Sequence, residues 1–131
     1  MKTVHIPQKA ALMLDKTLSL AKEHDSGGRV KCVAIFTDKR YTLLAVGRNM
    51  YTKTHPQQKA WASRAGNSAK QCLHAEVRAA IMLAKNGWEG RAAMLFVGAV
   101  SESGTVLQAA PCPVCRLLLE TDFPDIIVYH T

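Results

Sequence analysis

Residues 111–116 read Pro111-Cys112-Pro113-Val114-Cys115-Arg116, and upstream of them stands His74-Ala75-Glu76. Two cysteines three apart at a helix start project from the same side of its first turn, so both sulfurs can reach one metal ion. The prolines place that start, because the first turn of a helix tolerates proline and the interior does not. His74 adds an imidazole at the head of a second helical pattern. One imidazole and two thiolates are a good donor set for zinc. Three protein ligands leave the fourth tetrahedral position to water, as in a catalytic site, whereas a structural site closes with four. Two thiolates offset the double charge of the metal. Helix N-termini add positive potential that favours thiolate and bound hydroxide.

Glu76 stands too near His74 in sequence to be counted as a further ligand. A carboxylate beside a zinc-held water can take its proton and pass protons to a ring nitrogen and a departing amine. Three other readings stay open here. Cys72 could complete a four-ligand structural site and leave no place for water. A C-x-x-C pair also serves thiol–disulfide chemistry, in which His74 and Glu76 would be incidental. Glu76 alone could do no more than complement a helix dipole.

Outward from these motifs, the chain reads as alternating helices and strands. Residues 74–86 carry Val77, Ala80, Ile81 and Ala84 as an apolar stripe, and Gly87 stops them. Residues 93–100 form a strand, residues 101–104 a turn, and residues 106–109 continue or return the strand. The cysteine helix ends before Pro124, and residues 126–129 are a last strand. Toward the N-terminus, residues 30–36 are short, apolar and rich in β-formers, which marks a buried strand. A turn at 37–40 leads to a second strand over 41–46, antiparallel to the first. Pro7 opens a first helix that runs to about His24, with Ala11, Leu14, Leu18 and Ala21 on one face and Gly27-Gly28 behind it. Residues 48–72 are polar, basic and poorly periodic: a long loop with one helical turn around 59–64. The order αββαβαβ indicates an α/β domain with a mixed sheet.

An H-x-E motif followed by P-C-x-x-C is the signature of zinc base deaminases. On these residues the chain resembles the cytidine deaminase superfamily, from about Val30 onward and most strongly at His74-Ala75-Glu76 and at residues 111–116. His as first ligand is similar to deoxycytidylate and tRNA adenosine deaminases. The tail from Pro111 through Pro124-Asp125-Ile126-Ile127-Val128 is more similar to free cytidine and blasticidin deaminases. The resemblance implies a three-layer α/β/α fold with a mixed central sheet of four to five strands, and residues 106–109 are the candidate for the fifth. It implies one Zn2+ per chain on His74, Cys112 and Cys115. Cytosine in a free nucleoside or nucleotide would become uracil with release of ammonia. Zinc-held hydroxide would be the nucleophile and Glu76 the proton shuttle.

The remaining site candidates follow from the same resemblance. Asn49 falls where the family supplies an asparagine to the sugar. Arg48, Ala75 and Pro111 are the other substrate-binding candidates, and Arg116 is either a surface residue or a partner behind a thiolate. Two rivals remain. A single-stranded nucleic acid or tRNA could present cytosine or adenine to the same pocket. A zinc-stapled nucleic-acid-binding module would bind without catalysis, and Glu76 would then have no role.

Bulk properties fit these readings. The 131 residues suit a single domain over 1–131, and 48% apolar content suffices for one core. The formal charge of +7 points to an anionic partner such as a nucleotide phosphate or nucleic acid. From Lys39 to Ala75 there is no acidic residue, while Arg48, Lys53, Lys59, Arg64 and Lys70 accumulate, so this loop is a candidate phosphate reader. No stretch approaches the roughly 20 apolar residues of a membrane helix. The short run at 10–14, cut by Asp15, is no secretory signal. A cytoplasmic setting follows, with Cys32, Cys72, Cys112 and Cys115 reduced or metal-bound. Homo-oligomers are common in the family, and a small domain with an incomplete pocket wall would gain from one. Tyr51 and Trp61 could stack on a base or pack locally. Cys32 reads as a small core residue and His55 as a loop residue.

Overall fold

The structure, a computed structural model, describes residues 6–25, 27, 29–51, 55–66 and 73–131. Gly28, Lys53, Lys70 and Cys72 lie outside the described residues, as does part of the basic stretch. The chain runs α1 (Gln8–Glu23), β1 (Lys31–Thr37), β2 (Leu43–Arg48), α2 (Pro56–Arg64), α3 (Ala75–Lys85), a 3-10 turn (Glu89–Arg91), β3 (Met94–Val100), β4 (Val106–Leu107), α4 (Pro113–Asp122) and β5 (Ile127–His130). The sheet order is β2-β1-β3-β4, with β5 also beside β3. β1 is antiparallel to both β2 and β3, and β5 is parallel to β3, so the sheet is mixed.

Alternation along the strands divides the core in two. Val33, Ile35, Phe96 and Val100 face α1. Ala34, Phe36, Leu95, Val97 and Ala99 face α3 and α4, with Trp61 and Ala62 of α2 in the same cluster. The result is a three-layer α/β/α architecture on five strands. The buried stripe of α1 is Ala10, Leu14, Thr17 and Ala21, offset from the apolar pattern because Ala11 is exposed and Leu18 half-buried. Small residues let α1 approach the sheet: a Cβ at Gly98 would already touch Thr17 Cγ2 at 3.2 Å. Thr17 returns its hydroxyl to the Met13 carbonyl at 2.8 Å, which satisfies it inside the core.

One element departs from the sequence reading, and one alternative that it left open is resolved. The loop over 48–72 contains a nine-residue helix, α2, started by His55 as N-cap and Pro56 at the first position. Its buried positions are Gln58, Trp61 and Ala62, and a polar residue in the buried stripe hides the helical period. The segment after β3 returns as β4, pairing Ala99 with Leu107 and Val100 with Val106. β4 and β5 thus share one edge of β3, and Thr131 fills the seam. Its N–H donates to the Val97 carbonyl at 3.1 Å, its hydroxyl to the Leu107 carbonyl at 2.8 Å, and its own carbonyl accepts from Ala109 N–H at 2.8 Å. That last bond anchors the stretch leading into Cys112.

α3 lies close on β2 because the sheet offers no side chain at Gly47. A Cβ there would overlap the Ala75 carbonyl oxygen and the Ala79 nitrogen, and would sit 2.9 Å from Ala79 Cα. The buried face of α3 is accordingly Ala75, Glu76, Val77, Ala79, Ala80 and Leu83, while Ala84 is exposed. Since backbone cannot yield as a flexible side chain does, Gly47→Ala is expected to cost about 1–3 kcal/mol and to move the start of α3. Urea denaturation checks this: an unchanged midpoint would mean that α3 is not seated on Gly47.

Candidate active site

Two helix starts converge on one point. His74 is the N-cap of α3, with extended backbone (φ −80°, ψ 152°). Leu73, just before it, forms an antiparallel bridge with Met50 beyond the end of β2. Cys112 is the N-cap of α4, Pro113 occupies the first helical position, and Cys115 is buried in the first turn. Neither N-cap side chain caps its own helix. They turn toward one another instead: His74 Nδ1 lies 3.4 Å from Cys112 Sγ and 3.3 Å from Cys115 Sγ. The three donor atoms lie within 4.8 Å of each other. Zinc bonds of about 2.3 Å to sulfur and about 2.0–2.1 Å to nitrogen, at tetrahedral angles, separate N and S ligands by about 3.5 Å. The observed spacing fits a zinc ion. Cys112 and Cys115 are free thiols, as is Cys32.

The electrostatics suit a metal as well. Cys112 is pulled down to about 4, first by the hydrogen bond from the Cys115 thiol and then by His74. The second proton stays on Cys115, whose pKa is raised by that same hydrogen bond, by burial and by the nearby Glu76 and Cys112 charges. The hydrogen bond to Cys112 raises His74. A metal that binds both thiolates and a neutral imidazole displaces those protons.

Glu76 is the second residue of α3, in its first turn, and is 6% exposed. Burial raises its pKa, opposed by its own backbone hydrogen bond and by His74. It lines a cavity of about 460 Å3 together with His74, Ala75 and Cys112. Val30, Cys32, Asn49 and Tyr51 line it too, as does the stretch from Gln108 to Ala110. That volume suits a small molecule.

The remaining sequence candidates separate at this point. Ala75 lines the cavity, and so does Asn49, but the Asn49 amide is engaged at both ends. Its Oδ1 accepts from Cys32 N–H at 3.0 Å and its Nδ2 donates to the Val30 carbonyl at 3.0 Å, which ties the start of β1 to the end of β2. The Asn49 carbonyl is 2.8 Å from His24 Nε2. Arg48 is not brought into the cavity: it pairs with Val33, which faces α1, so it stands on the other side of the sheet. Pro111 and Arg116 border a separate hollow with Glu120, Phe123 and Val128, and Arg116 is exposed. Lys59 and Arg64 are exposed on α2, where the Arg64 guanidinium covers Trp61 at 4.8 Å. Trp61 itself is buried in the core, and His55 caps α2 by accepting from Gln57 N–H at 3.1 Å. Sequence reasoning missed Cys32 and Gln108 as cavity residues. Strand alternation gives a signal for Cys32, which falls on the same face as Ala34 and Phe36.

Comparison with known proteins agrees with this geometry. Residues 7–130 match the family described as the cytidine and deoxycytidylate deaminase zinc-binding region. The fold is similar to a crystal structure of a mutant cytidine deaminase from Mycobacterium tuberculosis, with a TM-score of 0.56 and 20% identity over 89% of this chain and 79% of that one. No curated protein sequence matches the chain. The family match runs from before α1 to the end of β5 and takes in every residue around the metal position, so the chain belongs to the zinc-binding cytidine and deoxycytidylate deaminase family.

Proposed function

We propose that the chain hydrolyses the exocyclic amine of cytosine in a free nucleoside or nucleotide, yielding uracil and ammonia. The observation that carries this reading is Glu76: a buried carboxyl lining the same cavity as the metal donors His74 and Cys112, where a structural site would have no use for it. Zinc, when bound by His74, Cys112 and Cys115, supplies a Lewis acid that makes water nucleophilic near neutral pH. Glu76 is placed to accept a proton from the attacking water and deliver it to ring nitrogen N3, which leaves the neighbouring carbon open to attack. It then transfers the second water proton to the amine, which departs as ammonia while the ring gains a carbonyl. A carboxylate with a raised pKa serves both directions, being a stronger base and still able to return the proton. Incubating the zinc-loaded protein with cytidine and deoxycytidine and measuring uracil nucleoside and ammonia tests this directly.

The favoured substrates are nucleotides, and among the described residues the candidate phosphate reader is Arg29, next to a residue of the cavity wall. Arg29 covers the ring of Tyr51 at 4.9 Å, and Tyr51 lines the cavity. Arg48, Lys59 and Arg64 do not line the cavity. Arg29→Gln is expected to lower kcat/KM for a cytosine nucleotide about 10- to 100-fold, the equivalent of one charge-assisted hydrogen bond. The plain nucleoside should be little affected. Added salt should narrow the difference, because the site is exposed. Equal kcat/KM for nucleoside and nucleotide in the wild type would remove Arg29 from substrate recognition. A steep salt dependence with short single strands would indicate a polymer instead.

A further inference from the structure

Gln58 is fully buried, and its two amide atoms fare differently. Oε1 accepts a hydrogen bond from the His74 backbone N–H at 3.1 Å. Nε2 has no hydrogen-bond partner among the described residues. A buried amide N–H left unpaired weakens a fold, and an apolar side chain of similar volume carries no such burden. Packing alone therefore does not account for an amide here, whereas the bond from Oε1 does.

That bond falls where α3 lacks another support. His74 cannot cap its helix, because Nδ1 faces the two sulfurs. One residue earlier, both backbone groups of Leu73 are tied to Met50, at 2.9 and 3.2 Å. The backbone that carries the imidazole is thus fixed from two directions, by the Met50 bridge and by Gln58. α2 also packs against α4, with Trp61 and Ala62 in the same apolar cluster as Leu118 and Leu119. One helix therefore touches both halves of the metal site.

We propose that Gln58 is a positioning residue for the zinc site, its Oε1 holding the His74 backbone so that Nδ1 meets Cys112 and Cys115 at zinc-binding distance. The proposal rests on the zinc reading of the site and is independent of which base is deaminated. The test compares wild-type chain, Gln58→Met and Gln58→Glu. Methionine keeps the volume but removes both the acceptor and the N–H that has no partner among the described residues, while glutamate keeps an acceptor oxygen. Three quantities are measured: zinc affinity by chelator competition, the absorption spectrum of the cobalt(II)-loaded protein, and the thermal midpoint of the metal-free chain. Partners that orient metal ligands typically carry about 10- to 100-fold in metal affinity. Gln58→Met should lose that much, alter the cobalt bands and leave the metal-free midpoint equal or higher. Gln58→Glu should recover most of the affinity. In turnover, kcat should fall for Gln58→Met with KM little changed. Wild-type zinc affinity and cobalt bands in Gln58→Met would overturn the proposal. Equal losses in both variants would also overturn it, marking Gln58 as a packing residue. If Gln58→Met does not fold, Gln58→Asn, which withdraws the carbonyl by one methylene, is judged by the same criteria. A wild-type chain that binds no zinc would overturn the zinc reading, and this proposal with it.

Discussion

Glu76→Gln is expected to keep its zinc and its fold while losing about 10²–10⁴-fold or more in turnover, the range that general acid–base catalysis supplies. The substitution preserves shape and removes only the ionisable group. Because burial raises the pKa of Glu76, its charged form is disfavoured in the folded state. Glutamine removes that conflict, so the thermal midpoint should hold or rise. A stable, zinc-loaded, inactive variant separates catalysis from folding. Near-normal turnover in this variant would refute the proton-transfer role and return the site to structural zinc.

Cys112→Ala or Cys115→Ala should abolish stoichiometric zinc binding and lower the thermal midpoint. Structural zinc in zinc-finger peptides contributes about 10–16 kcal/mol of apparent binding free energy at neutral pH, and zinc binding is coupled to folding in the same way here. Each cysteine also anchors the start of α4, and Cys115 is fully buried, so truncating it removes packing besides a ligand. Cys115→Ala should therefore be the less stable of the two. Chelator-treated wild type should unfold near the midpoint of Cys112→Ala, since both lack the same metal. Elemental analysis is decisive here: one zinc per chain in either variant would exclude these sulfurs as ligands.

The metal donors were legible in the sequence because chemistry constrains their type and helix geometry constrains their spacing. Cys112 and Cys115 had to share one turn of a helix, and Pro113 marked where it starts. The strands were legible to within two residues, since β1 and β3 are almost wholly apolar. α2 was not, because its buried stripe is Gln58, Trp61 and Ala62 and reads as polar loop. The start signal, His55 followed by Pro56, was present all the same. The position of Arg48 follows from alternation with Val46, which faces α1; the long basic run drew attention away from that period. The engagement of Asn49 depends on where the start of β1 falls against the end of β2, and no local pattern encodes that register. The role of Thr131 arises in the same way, from β4 and β5 meeting along one edge of β3.

The most direct test of the account is product analysis with zinc-loaded protein. Cytidine, deoxycytidine, their mono- and triphosphates, adenosine analogues and short single strands are incubated separately, and deaminated base and ammonia are quantified. The account predicts uracil and ammonia in equal amounts from free cytosine nucleosides or nucleotides, and none from adenosine analogues. Turnover confined to adenine or to strands, or no turnover at all by zinc-replete protein, would contradict it.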